Sequence, residues 1–229
     1  MISWKKGVLG AAMALASSSA MAQDGVSNAE RPSRWAGSEI AVGVLQHGSN
    51  FHPLGEELIF DLPALPPGQI YEGSEEDGTV DVQVVYRSAP LNFALHPRLT
   101  GKLQINTAGR TSFASIGAEW RRHLPHSRIY GQVGVGLTVH DGYDFTPNPF
   151  EPGLTQAQAQ RRYDIYREHI SFGSQVLFNP NAAVGVQLTP RWALEATWEH
   201  FSHAQIFSEQ NPGMDTLGLR LVRTLGPGR

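Results

Sequence analysis

His200, Ser202 and Asp215 are the residue types from which a hydroxyl nucleophile can be built. A serine oxygen is a weak nucleophile until a neutral imidazole accepts its proton. A carboxylate on the other ring nitrogen fixes the tautomer and stabilises the charged ring. Spacing brings the three together. Over 191–203 the side chains alternate, so Trp192, Leu194, Ala196, Trp198, His200 and Ser202 share one strand face. Arg191, Ala193, Glu195, Thr197, Glu199, Phe201 and His203 share the other. The first face is apolar until its last two members. Over 213–224, Asp215, Leu217, Leu219 and Leu221 likewise share an apolar face. If 204–213 is the loop between antiparallel neighbours, all three residues meet at one rim, on the apolar surface. The chemistry expected there is hydrolysis of an acyl ester already held in a membrane. His203, or the backbone N–H groups of Ala204 and Gln205, are candidate oxyanion donors. Plainer readings exist: rim residues marking the membrane interface with Trp198 as a belt aromatic, and Asp215 as a turn residue after Asn211-Pro212-Gly213.

Little else in the chain offers chemistry. The 229 residues contain no cysteine, which excludes disulfide scaffolds, thiolate zinc sites, iron–sulfur clusters and cysteine nucleophiles. A formal charge of −3 gives no basic footprint for nucleic acid. His123 and His126 flank Pro125, and His140 precedes Asp141; none has metal-ligand spacing, and they read as solvated histidines. Phosphate-binding and dinucleotide fingerprints are absent, and no cofactor or metal is expected.

The elements that must position the triad come from alternation. Period-2 patterning recurs in stretches of about ten residues separated by Gly, Pro, Asn and Asp. Eight are readable: 38–48, 79–88, 97–107, 111–123, 128–141, 168–188, 191–203 and 213–224. In the fifth, Ile129, Val133, Val135, Leu137 and Val139 oppose Tyr130, Gln132, Gly134, Gly136, Thr138 and His140. One face is greasy and the other small or polar. Strands of this length match a tilted crossing of a bilayer, and small residues suit a narrow barrel interior. Long connections (49–78 and 142–167) alternate with tight ones at Pro125 and Pro190, as short periplasmic turns and long external loops do. The expected fold is all-β, an eight-stranded antiparallel transmembrane β-barrel; a soluble lipocalin-like barrel is the competing architecture. One polar helix is expected over 155–167, and the acidic, Pro/Gly-rich 63–78 reads as a solvated loop.

Met1–Ala22 reads as a secretory signal, with Lys5 and Lys6 before a short apolar run and Ala20-Met21-Ala22 as cleavage site. Loss of those two lysines takes the formal charge from −3 to −5. The expected organisation is a signal peptide over 1–22 and a single barrel domain over 23–229.

The run Glu199-His200-Phe201-Ser202-His203-Ala204, with Asn211-Pro212-Gly213-Met214-Asp215 and Leu217-Gly218-Leu219-Arg220, resembles the lipid A 3-O-deacylase family. A looser likeness covers Phe172–Phe178 and Val184–Val186. The resemblance implies an outer-membrane barrel of a Gram-negative bacterium that hydrolyses the ester at position 3 of lipid A, releasing a 3-hydroxy fatty acid. It makes Ser202 the nucleophile, His200 the base and Asp215 the acid. His203 stands where the family has Asn, and Asp215 where its best-known members have Glu, one residue later. His203, Ala204 and Asn211 remain auxiliary candidates, and Glu209 is the alternative acid. Expected partners are lipopolysaccharide and outer-membrane lipid, with a homodimer as a candidate assembly and no nucleic acid. The alternative function is a non-enzymatic structural or adhesive outer-membrane barrel with a decayed site.

Overall fold

The computed structural model describes residues 37–49, 51–52 and 75–226. The signal sequence and most of the acidic loop lie outside the described residues. Nine strands form one antiparallel sheet: β1 (Glu39–His47), β2 (Thr79–Arg87), β3 (Arg98–Asn106), β4 (Phe113–His123), β5 (Ile129–His140), β6 (Val176–Phe178), β7 (Asn181–Gln187), β8 (Trp192–Phe201) and β9 (Met214–Thr224). Each strand pairs with its neighbour, and β1 pairs with β9, which closes the sheet into a barrel. β6 and β7 both pair with β5, at its end and its start, so they are two parts of one interrupted stave. The barrel therefore has the eight staves that alternation predicts.

The sequence reading carries 168–188 as one strand, and here the structure differs. Only 176–178 and 181–187 are strand. Gly173 turns the chain with φ +77°, and Pro180, which has no N–H to donate, splits the remainder. The expected helix is present as α1 (Gln156–Glu168), started by a capping box between Thr155 and Gln158.

The direction of the two faces separates a membrane barrel from a soluble one. Val42, Val44, Val82, Val84, Leu103, Ile116, Val133, Leu137, Val184, Leu194 and Leu219 all stand exposed on the outer wall. A lipocalin-like barrel would bury this face. Inside, polar side chains fill the lumen. The Arg87 guanidinium donates to Glu119 at 2.6 Å and to Glu195 at 2.9 Å, and Arg121 donates to Glu39 at 2.7 Å. Lys102 donates to Glu199 at 3.0 Å, and Arg220 to the same carboxylate at 2.8 Å. Buried charges survive only when paired and hydrogen-bonded, so these contacts fill the interior as a packed polar core. Gly185 shows how tightly: a Cβ there would lie 2.1 Å from the Tyr130 ring, whose hydroxyl donates to Glu195.

One rim carries the tight turns 124–128 and 188–191 together with the start of β1 and the end of β9. The other carries 48–49, 51–52, 75–78, 107–112, 141–175 with α1, and 202–213. At this loop rim two expectations fail. Glu76, in the segment expected to be solvated, is fully buried and accepts from Thr111 N, Thr111 Oγ1 and Ile170 N. His140 is also buried rather than solvated, because it ends β5 facing inward, with Nε2 2.8 Å from the Ser174 carbonyl oxygen.

Candidate active site

The register of β8 with β9 sets His200 directly across from Asp215 at the loop rim. Both side chains point to the outer wall, as does Ser202, which follows the end of β8. The backbone under them is pinned from both flanks. His200 N donates to the Pro180 carbonyl at 3.0 Å, and Phe178 and Ser202 exchange N–H···O bonds of 2.7 and 3.2 Å. The break at Pro180 thus re-aims the stave while its carbonyl still supports β8. From the other flank, Ser49 N donates to the Asp215 carbonyl at 2.6 Å. Gly213 takes φ +70°, and a Cβ there would sit 3.2 Å from His200 Cε1. Glycine is required at that point both for the turn and for the close approach of backbone to imidazole.

The side chains form a hydrogen-bonded series. His200 Nδ1 lies 2.9 Å from Asp215 Oδ1, and His200 Nε2 lies 2.9 Å from Ser202 Oγ. An ionised carboxylate only accepts, so Nδ1 carries the proton and Nε2 is left to accept from the serine hydroxyl. Trp198 Nε1 donates to the same Asp215 oxygen at 2.8 Å, and its ring stacks beside His200. His200 and Asp215 side chains retain 18% and 14% exposure, open enough for a substrate and closed enough to restrain both.

Geometry sorts the other expected residues. His203 faces inward and is fully buried, with Nε2 2.8 Å from the Gln210 carbonyl oxygen and 3.1 Å from that of Phe172. Its backbone N–H donates to Asn211 Oδ1 at 2.9 Å. His203 and Asn211 therefore fasten the 202–213 loop, and the His203 side chain lies on the opposite face from Ser202. Ala204 and Gln205 form a left-handed pair, φ 52° and 54°, immediately after. Glu209 is exposed, its carbonyl accepting from Gln205 Nε2, while the carboxylate facing His200 belongs to Asp215.

Two neighbours escaped the sequence reading. Trp198 enters the sequence analysis only as a belt aromatic in one of the plainer readings; its shared parity with His200 is the available signal for a contact with Asp215. His52 packs edge-on to His200 and Trp198, with centroid separations of 5.2 and 5.6 Å. Nothing local in the sequence marks it, since it arrives from the far side of the β1–β9 seam.

With this geometry in hand, the profile of the lipid A 3-O-deacylase (PagL) family matches residues 93–224, more than half of the chain. The chain belongs to the lipid A 3-O-deacylase family. Among solved structures, the crystal structure of the outer membrane enzyme PagL is similar, at 10% identity and TM-score 0.46, covering 83% of this chain and 100% of that one. The N-terminal β-barrel domain of Pseudomonas aeruginosa OprF aligns at 9% identity and TM-score 0.46, covering 83% and 98%. Neisserial surface protein A aligns at 12% identity and TM-score 0.43, covering 82% and 97%. No curated protein matches the chain. The family match includes every strand from β3 onward, and with them the whole of the Ser202–His200–Asp215 site. Family and fold together make the protein an outer-membrane β-barrel of a lipid A deacylase family.

Proposed function

We propose that the protein is a serine esterase that hydrolyses the 3-O-linked acyl ester of lipid A, releasing a 3-hydroxy fatty acid. The observation that carries this reading is the Ser202–His200–Asp215 series, 2.9 Å at each link, on the lipid-facing wall. Its position at the loop rim supports a substrate in the outer leaflet, because long loops of such barrels are external. The linkage at position 3 follows the family.

In the first half-reaction His200 Nε2 takes the hydroxyl proton as Ser202 Oγ bonds to the ester carbonyl carbon. Asp215 holds the imidazole and stabilises its charged form without taking the proton. His200 returns the proton to the sugar oxygen as the ester bond breaks, leaving an acyl-enzyme at Ser202. Water then attacks this ester, with His200 accepting one proton and returning it to Ser202 as the fatty acid departs. We assign the oxyanion donors to backbone N–H groups of the Ala204–Gln205 turn. A strained left-handed pair beside the nucleophile is the observation behind that assignment. The mature chain would start near Gln23, after signal removal, and form a single barrel domain.

Reconstitution with lipopolysaccharide followed by mass spectrometry of lipid A tests the proposal. Wild type removes one 3-hydroxyacyl chain and Ser202→Ala does not; identical acylation patterns for the two would overturn it.

A further inference from the structure

His52 has no part in the hydrolytic steps, yet it is the side chain that packs edge-on against His200. Its Nδ1 is buried without a hydrogen-bond partner. A buried imidazole nitrogen left unpaired costs free energy and asks for an explanation, a bound ion among them. His52, His200 and Asp215 each bring one potential ligand atom to within 4.8 Å of the others. Among the described residues this is the one such group of three.

We propose that His52, His200 and Asp215 form a binding site for a zinc-like transition-metal ion that inhibits the esterase by capturing its base. Two of the three ligand atoms already stand within about 0.4 Å of the spacing it needs. Zinc takes imidazole nitrogen and carboxylate oxygen at about 2.0–2.2 Å, which places tetrahedral neighbours about 3.3 Å apart. His200 Nδ1 and Asp215 Oδ1 stand 2.9 Å apart, so a metal can replace the proton between them. His52 is the third ligand, its potential ligand atom lying within 4.8 Å of those of His200 and Asp215. Two imidazoles and one carboxylate favour zinc or copper over magnesium and calcium, which prefer all-oxygen sites. The site therefore discriminates against the hard divalent cations.

Inhibition follows from proton placement. A metal on Nδ1 shifts the remaining ring proton to Nε2, which then cannot accept from Ser202. A metal on Nε2 consumes the accepting lone pair directly. Either way the serine keeps its proton. Metal binding stands independently of the proposed hydrolysis, whereas the inhibitory consequence rests on it.

The test is calorimetric titration of untagged, detergent-solubilised protein with Zn2+ alone, in a non-chelating buffer. Wild type and Ser202→Ala are expected to bind one Zn2+ per chain, with no saturable binding of Mg2+. His52→Ala and Asp215→Asn are each expected to bind more than about a hundredfold more weakly, beyond the roughly 10–100-fold that loss of an outer-shell partner usually costs. Heat-modified gel migration checks that each variant is a folded barrel. If His52→Ala does not fold, Asp215→Asn and the visible spectrum of the Co2+-loaded wild type decide. Wild-type affinity in a folded His52→Ala or Asp215→Asn, or absence of saturable Zn2+ binding by wild type, overturns the site. Deacylation that continues in zinc-saturated wild type overturns the inhibition. Zinc binding as expected in a protein with no deacylase activity at all would sink the proposed function and leave the metal site standing.

Discussion

Two histidines at the loop rim are each held by a carboxylate, and they have opposite fates. His47 ends β1 on its inward face, fully buried, with Nδ1 2.8 Å from Asp81 and Nε2 2.9 Å from Glu76. His200 lies near the end of β8 on its outward face, with Nδ1 on Asp215 and Nε2 on the hydroxyl of Ser202. Both His47 nitrogens donate to groups that only accept, so the ring has nothing left with which to take a proton. His200 keeps one accepting nitrogen, aimed at an atom that can attack something else. Residue type does not separate a histidine locked between carboxylates from one with an accepting nitrogen to spare. Strand parity does, because it decides whether the second nitrogen meets a lumen carboxylate or a hydroxyl on the membrane wall.

The largest effect that sharpens this contrast is expected at Ser202. Ser202→Ala should lower the deacylation rate by about 10⁶-fold, and His200→Ala should cost about the same. The double variant should be no worse than either single one, since the two act as a unit. Asp215→Asn comes next, at about 10⁴-fold, because an amide can hold the wrong tautomer of His200. Single-turnover release of fatty acid from lipopolysaccharide measures all of these. Additive losses in the double variant would mean that the residues do not form one proton-transfer unit.

What was legible in the sequence follows the same parity. The outward sets of β5, β8 and β9 alternate cleanly with polar partners, so strand positions, barrel closure and the meeting of His200, Ser202 and Asp215 could all be read from spacing. The lumen was harder. A membrane barrel keeps its polar groups inside, so a buried Glu76 or His140 looks locally like a solvated loop residue. Only partners distant in sequence, Thr111 and Ile170 for Glu76 and Ser174 for His140, reveal the burial. His52 was invisible for the same reason: its contact is made across the closing seam of the barrel. The stave over 168–188 misled because Gly173 and Pro180 interrupt it while its apolar spacing continues.

The interior histidine cluster should respond in stability where the outer one responds in rate. Burial pushes the Glu76 carboxyl up, but the His169 and His47 rings and the N–H groups of Thr111 and Ile170 more than offset this and hold it well below the usual carboxylate range. Glu76→Gln removes the charge from that set and should destabilise the barrel by about 3 kcal/mol near neutral pH, the cost of breaking a buried pair. Deacylation by the folded fraction should be unchanged. The sign with pH is fixed. A lowered folded pKa contributes stability that is complete above the unfolded value of about 4.3 and is lost as pH falls toward the folded one. The gap between wild type and Glu76→Gln should therefore persist down to about pH 4 and close only below it. Heat-modified gel migration across a pH series measures this, and a gap that instead widens in acid would contradict the assignment.

Trp198 should give the smallest effect, and it tests whether the outer cluster extends beyond three residues. As a belt aromatic, Trp198 would serve only to anchor the barrel at the interface, and Trp198→Phe would keep much of that role. As a donor to Asp215 Oδ1, it helps hold the carboxylate in the plane of the His200 ring, and phenylalanine cannot replace that bond. A hydrogen bond to a charged group contributes about 1.5–3 kcal/mol, and the part expressed in the rate should be about tenfold in kcat. KM should stay near the wild-type value, because the indole N–H is turned to Asp215 and away from the acyl ester. Steady-state kinetics on Trp198→Phe separate the two roles: unchanged kcat returns Trp198 to the membrane belt, and a fall in kcat at constant KM makes it the residue that positions the acid.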